Sequence, residues 1–275
     1  MLSLIICSRQ FDIPAELKEN IASTIGCEYE LIVIDNSKNE YSIFSAYNEG
    51  IRLAKGDVLC FMHDDILFRS DDWGTTLQTT LQDSSIGIVG VIGSQFLPNK
   101  MASWWLCENT KGTILQGERT SNGKYISSLS GVEVSDVTDV VVVDGLWFAM
   151  TRDFTNHVQF DDKTYNSFHC YDVDICMQAI SNDRRVVVIP NVLIEHTSMG
   201  NVLTTYYQQL QCFYDKWQSL LPIWRGIELD ANAALHMSNI LEKYQKVVCR
   251  NVVLEKSKSY RLGKSLLTPL KKIFK

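Results

Sequence analysis

Between residues 2 and 62 the hydrophobic pattern changes period four times, and that alternation leaves few architectures open. Residues 2–7 (LSLIIC) form an apolar run of strand type. Asp12 is a candidate cap and Pro14 suits a first helical turn, and Ile13, Leu17, Ile21 and Ile25 then recur every fourth residue, predicting an amphipathic helix. YELIVID (29–35) predicts a second strand. Ile43, Ala46, Tyr47, Ile51 and Ala54 predict a second helix closed by Gly56 as C-cap, and DVLCFM (57–62) predicts a third strand. Parallel neighbours require a crossover, and apolar strands need covering on both faces. The expected fold class is therefore α/β, with a Rossmann-like, mostly parallel mixed sheet flanked by helices. Such sheets bind ligands at the carboxyl ends of their strands, where Ser8, Asp35 and the run from His63 to Asp65 fall.

Further along, a helix is expected near 72–83 and a strand over IGIVGVIG (86–93). Residues 93–137 are rich in Gly, Asn and Ser and predict a loop and hairpin excursion, with SNGK (121–124) as one turn. Strand character returns in DVVVVDGLWFAM (139–150), a helix begins around Tyr171, and RRVVVIPNVLIEH (184–196) holds two short strands separated at Pro190. From about residue 200 the composition turns to helical segments rich in Tyr, Gln and Leu, broken at Pro222 and resuming over 229–247. The chain divides on this reading into an α/β body at 1–200 and a docked helical extension at 201–275.

The sharpest chemical signal is FMHDDILF (61–68). A strand interior excludes unpaired carboxylates, so adjacent aspartates after an apolar run stand at its mouth, either binding a hard cation or forming a solvated turn. In extended backbone His63 and Asp65 share one side and Asp64 takes the other. In CYDVDIC (170–176), Asp172 and Asp174 lie about 200° apart on a helix and cannot serve one task. His196 ends an apolar run, where a lone histidine is most often structural. Taken with the aspartates, it suits Mn2+ or Mg2+ bridging phosphates better than a closed zinc site. No GxGxxG follows the first strand, and neither GxxxxGK[ST] nor GxSxG occurs.

The net charge of −6 argues against a nucleic-acid partner but hides an asymmetry. From Lys256 onward there are seven basic residues and no acidic one, which leaves 19 basic against 32 acidic, a charge of −13, in residues 1–255. That segment, KSKSYRLGKSLLTPLKKIFK, interleaves cations with Tyr260, Leu262, Leu266, Leu267, Leu270, Ile273 and Phe274. It reads either as amphipathic turns for anionic lipid or a partner, or as a solvated basic tail. The eight cysteines are scattered without CxxC pairs and read as buried thiols of a reducing compartment. The opening MLSLIICSRQ lacks a basic n-region and its apolar stretch is shorter than a bilayer span, so a cytoplasmic location is expected.

AYNEGIRLAKGDVLCFMHDDI (46–66), then VDG (143–145), YDVDI (171–175) and IEH (194–196), in that order and over roughly residues 1–200, resemble an inverting glycosyltransferase of the family 2 type. The similarity is to bacterial members that build cell-surface polysaccharide, and it implies a GT-A fold. In such enzymes the first strand and the VIDN segment cradle the donor's base and ribose, which implies donor-binding roles for Ser8, Asp35 and Asn36, with Arg9 steering the diphosphate. The DxD position falls on His63, Asp64 and Asp65, with histidine where many relatives carry aspartate. The resemblance makes Asp65 the main metal ligand, His196 its partner, His63 a metal ligand or pocket wall, and Asp64 a contact to donor ribose or sugar. Asp144 and Gly145 would wall the donor sugar and acceptor entrance. Asp172 would be the general base, Tyr171 stands where many relatives carry Glu, and Asp174 is structural. The implied reaction moves a sugar from a nucleotide-diphosphate sugar to a glycan or lipid-linked acceptor with Mn2+ or Mg2+, at the inner face of the cytoplasmic membrane. A metal-dependent nucleotidyltransferase and a noncatalytic carbohydrate-binding protein are the alternatives.

Overall fold

In the computed structural model the described residues are 1–107, 109–119, 123–197 and 204–256. The first half runs β1 (Leu2–Ser8), α1 (Ala15–Thr24), β2 (Tyr29–Asp35), α2 (Ile43–Leu53), β3 (Val58–Met62), β4 (Ile66–Phe68), α3 (Trp73–Thr80), β5 (Ile86–Gly90), β6 (Ile92–Ser94) and β7 (Phe96–Leu97). It continues with β8 (Thr110–Arg119), β9 (Tyr125–Val132), β10 (Thr138–Val140), β11 (Val142–Val143), β12 (Trp147–Thr151), α4 (Tyr171–Ser181), β13 (Arg185–Val188) and β14 (Ile194–His196). The chain then enters α5 (Thr204–Trp217), β15 (Ile223–Trp224) and α6 (Ala231–Lys256). The segment 257–275, read either as a lipid- or partner-binding tail or as a solvated one, and residues 121–122 of the expected SNGK turn lie outside the described residues.

The expected α/β architecture is present, but the pairings of the main sheet are evenly mixed and not mostly parallel, because β12 and β10 run against their neighbours. A seven-stranded sheet has the order β10-β13-β5-β12-β3-β1-β2. β1 is parallel to β2 and β3, β13 is parallel to β5, and β12 runs antiparallel between β3 and β5. Period-two alternation assigns each strand's side chains to two cores. Ile5, Leu59, Phe61 and Phe148 face α2, α4 and α5, whereas Leu4, Ile6, Cys60, Met62 and Ala149 face α1 and α3. Ile13, Leu17, Ile21 and Ile25 are all buried in the second of these, as their spacing predicts.

Three local expectations are corrected. Asp12 does not cap α1: Pro14 holds the cap position and its carbonyl accepts from Lys18 N at 3.2 Å, while Asp12 accepts from Ile13 N. Gly56 is not a helix cap, since Ala54 ends α2 through its N–H to Gly50 O. Gly56 is instead required because a Cβ there would lie 2.6 Å from Met1 O. IGIVGVIG is not one strand but β5 and β6, and the strand character of DVVVVDGLWFAM is divided among β10, β11 and β12. Each crosses from the large sheet into a second sheet, β11-β6-β8-β14-β4, to which β9 adds beside β8. The crossing works because the two segments meet closely: a Cβ on Gly93 would lie 2.0 Å from Val142 O.

The C-terminal helices are docked. Tyr206, Leu210 and Phe213 of α5 enter the core beneath α4, and Gln245 of α6 accepts from Ser103 N (2.7 Å) and Ser103 Oγ (2.8 Å). All eight cysteines are free thiols. No helix among the described residues is long and apolar enough to cross a membrane.

Candidate active site

The site lies where β1 and β3 end and where β12 and α4 begin. β3 releases His63, Asp64 and Asp65 beyond the sheet, and the chain turns back as β4. β14 pairs antiparallel with β4, His196 opposite Ile66, which brings His196 beside Asp65. His196 Nε2 lies 3.4 Å and His63 Nδ1 3.7 Å from Asp65 Oδ1, and the ligand atoms of the three residues all fall within 4.8 Å of one another. The alternation expected for HDD holds. Asp64 points the other way and accepts from Ser8 Oγ at 2.6 Å.

Electrostatics separate the two imidazoles. Burial dominates at His63 and holds its pKa below the usual histidine value against the pull of Asp65. At His196 burial acts in the same direction, but hydrogen bonding and charge from Asp65 outweigh it and raise the pKa. His63 Nε2 lies 2.7 Å from the Tyr171 hydroxyl.

Tyr171 opens α4 and Asp172 follows it in the first turn. Gly145 N donates to Asp172 Oδ2 at 3.2 Å. Burial first, and the nearby Asp144 charge second, push the Asp172 pKa up to about 7, with backbone N–H groups of Val173, Asp172 and Gly145 opposing the rise. Asp144 accepts from Leu146 N at 2.8 Å, and Leu146 O accepts from His63 N at 3.0 Å, so the VDG segment is tied to both functional clusters. Gly145 is there for space: a Cβ would lie 2.2 Å from the Tyr171 hydroxyl oxygen.

The remaining residues expected on the donor side are spread along the strand ends. Asp35 is exposed and in register with Ser8; hydrogen bonds from the Ser37 backbone and side chain hold its pKa below the usual carboxylate range. Asn36 uses its side chain locally, donating to Tyr41 O and accepting from Tyr41 N at 2.9 Å each. Arg9 stands 5.9 Å from the centroid of Phe168, whose ring is itself 5.9 Å from that of His63. Asp174 is buried and turned away, accepting from Tyr165, Gln178, Lys216 and Trp217.

Sequence reasoning missed the hydroxyl of Tyr171 and the cleft beside Asp172. That pocket is small, about 20 Å3, and is lined by Asp172 with Leu97, Trp104, Trp105, Tyr206, Leu210 and other apolar groups. The adjacent tryptophans at 104 and 105 were its signal within the excursion, but only α5 folding back supplies the opposite wall.

A family model described as a glycosyltransferase-like family matches residues 3–217. No curated protein sequence matches the chain. Among solved structures, it is similar to GalNAc-T7 with UDP, GalNAc and Mn2+ (12% identity, TM-score 0.49), and that match covers 74% of this chain but only 44% of that one. It is also similar to S. aureus TarS 1–349 (12% identity, TM-score 0.48; 86% of this chain and 70% of that one). A third is the mannosyltransferase PcManGT from Pyrobaculum calidifontis with GDP-Man and Mn2+ (13% identity, TM-score 0.42; 96% and 83%).

Proposed function

The chain belongs to the glycosyltransferase-like family, and from that premise we propose that it moves a sugar from a nucleotide-diphosphate sugar to a hydroxyl of a glycan or lipid-linked acceptor, with inversion at the anomeric carbon. The observation that carries this reading is Asp172, a carboxylate on the wall of a cleft with its pKa raised to about 7. A base whose pKa lies near neutrality combines a useful ionised fraction with a real affinity for the proton.

Donor-side work falls to residues 1–200. Ser8, Asp35, Asn36 and Asp64 hold the nucleoside and sugar, Arg9 attracts the diphosphate, and Asp144 and Gly145 wall the sugar. The extension at 201–275 contributes to the acceptor side through Tyr206 and Leu210 of α5, which line the pocket beside Asp172 with Trp104 and Trp105, Tyr206 packing on Trp105 at 5.1 Å. The exposed ring of Trp105 suits the apolar face of a sugar or the start of a lipid chain.

His63, Asp65 and His196 fit a divalent cation. Two imidazoles and a carboxylate converge there, with carboxylate-to-imidazole separations of 3.4 and 3.7 Å. Bound Mn2+ or Mg2+ supplies positive charge against the leaving diphosphate. Asp172 accepts the acceptor's hydroxyl proton while that oxygen forms its bond to the anomeric carbon and the bond from that carbon to the diphosphate oxygen breaks. Gly145 N–H keeps the carboxylate oriented during the transfer.

The test is transfer from a panel of nucleotide-sugars by purified protein, with products identified by linkage analysis, repeated for Asp172→Asn. Turnover should fall by about 10²–10⁴ with donor binding retained. Normal turnover in the variant would exclude the base role, and transfer of a nucleotidyl group instead of a sugar would overturn the reaction class.

A further inference from the structure

Tyr171 is a tyrosine with little freedom. It is 4% exposed, its ring packs edge-on against Tyr47 at 5.5 Å, and the missing Cβ of Gly145 leaves room for its hydroxyl. The hydroxyl is thus a fixed hydrogen-bonding group 2.7 Å from His63 Nε2. The other ring nitrogen, Nδ1, faces Asp65 and the His196 cluster. If the phenol oxygen accepts, Nε2 carries the imidazole proton, and Nδ1 then offers its lone pair to the cluster. A histidine that binds metal needs this division of labour, in which the hydrogen bond at one nitrogen selects the tautomer at the other.

We infer that Tyr171 is a positioning residue that fixes His63 as the third ligand of the cation site, and that the resulting two-imidazole, one-carboxylate set selects Mn2+ over Mg2+. The inference rests on the metal-assisted reading above and deepens it by naming the ligand set and the ion it prefers. Mg2+ favours oxygen donors and gives up water reluctantly, whereas imidazole nitrogen suits first-row transition ions. With nitrogen at two of the three protein positions, the site offers Mg2+ a single matched donor. An aspartate at position 63 would reverse that balance and leave Tyr171 nothing to orient.

The experiment is titration of the full chain with Mn2+ alone, followed by the free-ion EPR signal, with Mg2+ as competitor. The unaltered chain should bind Mn2+ more tightly than Mg2+. Tyr171→Phe, which keeps the ring and removes the hydroxyl, should weaken Mn2+ binding by about 10–100-fold, the loss typical of removing an outer-shell partner. His63→Asp should narrow the preference for Mn2+, and adding Tyr171→Phe to it should cost nothing further. Unchanged Mn2+ affinity in Tyr171→Phe, or an equal loss in the His63→Asp background, would overturn the positioning role. An unchanged Mn2+ to Mg2+ preference in His63→Asp would overturn the selectivity. Failure of the unaltered chain to bind Mn2+ would remove the metal from the proposed function as well. Failure of sugar transfer with these binding results intact would fall on the reaction and leave the inference standing.

Discussion

Asp172 carries two consequences of one environment. Its carboxyl binds a proton more tightly in the folded chain than in the unfolded chain, because burial and Asp144 disfavour the charge. In the proposed base role Asp172 is inactive while protonated, so kcat/KM should rise with pH through about 7 and level off above it. A profile flat across neutrality would count against the assignment. Stability moves the opposite way. The unfolded state releases this proton at a lower pH, so the contribution of Asp172 to stability falls as pH rises from the ordinary carboxylate range to about 7 and stays lost above it. Asp172→Asn should accordingly melt higher than the unaltered chain at pH about 8, by about 2–4 °C per kcal/mol relieved, and show no such gain in acid. At this scale the sequence made HDD and YDVDI stand out, and alternation correctly separated Asp64 from His63 and Asp65. It could not assign Tyr171 a task, because the partner that gives its hydroxyl meaning is 108 residues away.

Among the elements, α4 shows how one helix serves both a site and a core. Its period turns Asp172 to the cleft and Asp174 inward, where Asp174 Oδ1 accepts from Tyr165 at 2.9 Å and from Trp217 at 2.8 Å and pairs with Lys216 at 2.9 Å. Asp174 therefore fastens α5 onto α4. Asp174→Ala should cost about 1–3 kcal/mol in urea unfolding for each donor it strands, since Tyr165 and Trp217 lose their acceptor while Lys216 keeps Asp161 at 2.7 Å. A cost within experimental error would remove the anchoring role. β14 works in the same manner across two faces. Glu195 turns to Arg69 and Tyr125, while His196 points to Asp65. The period of each of these elements was legible in the sequence. The splitting of IGIVGVIG and DVVVVDGLWFAM between two sheets was not, because a continuous apolar run looks the same whether it stays in one sheet or crosses to another.

Across the whole molecule, an acidic body of charge −13 is followed by a basic segment. Residues 257–275 lie outside the described residues, and the proposed lipid role rests on their composition. The full chain should sediment with vesicles containing phosphatidylglycerol and progressively less so as salt rises, whereas a chain lacking 257–275 should stay in solution with donor binding intact. Sedimentation independent of that segment would refute the role. By itself, the sequence determined the alternating elements, the strand ends at which chemistry gathers and the phase of each charged residue on its own element, because these depend on neighbours within a few residues. The family resemblance groups His196 with His63 and Asp65, but only the tertiary structure decided how close they lie, that Tyr171 meets His63, that α5 packs beside Asp172, and that burial raises the pKa of the carboxyl there. Those outcomes depend on sheet order, strand register and burial, which long-range packing sets and no local pattern specifies.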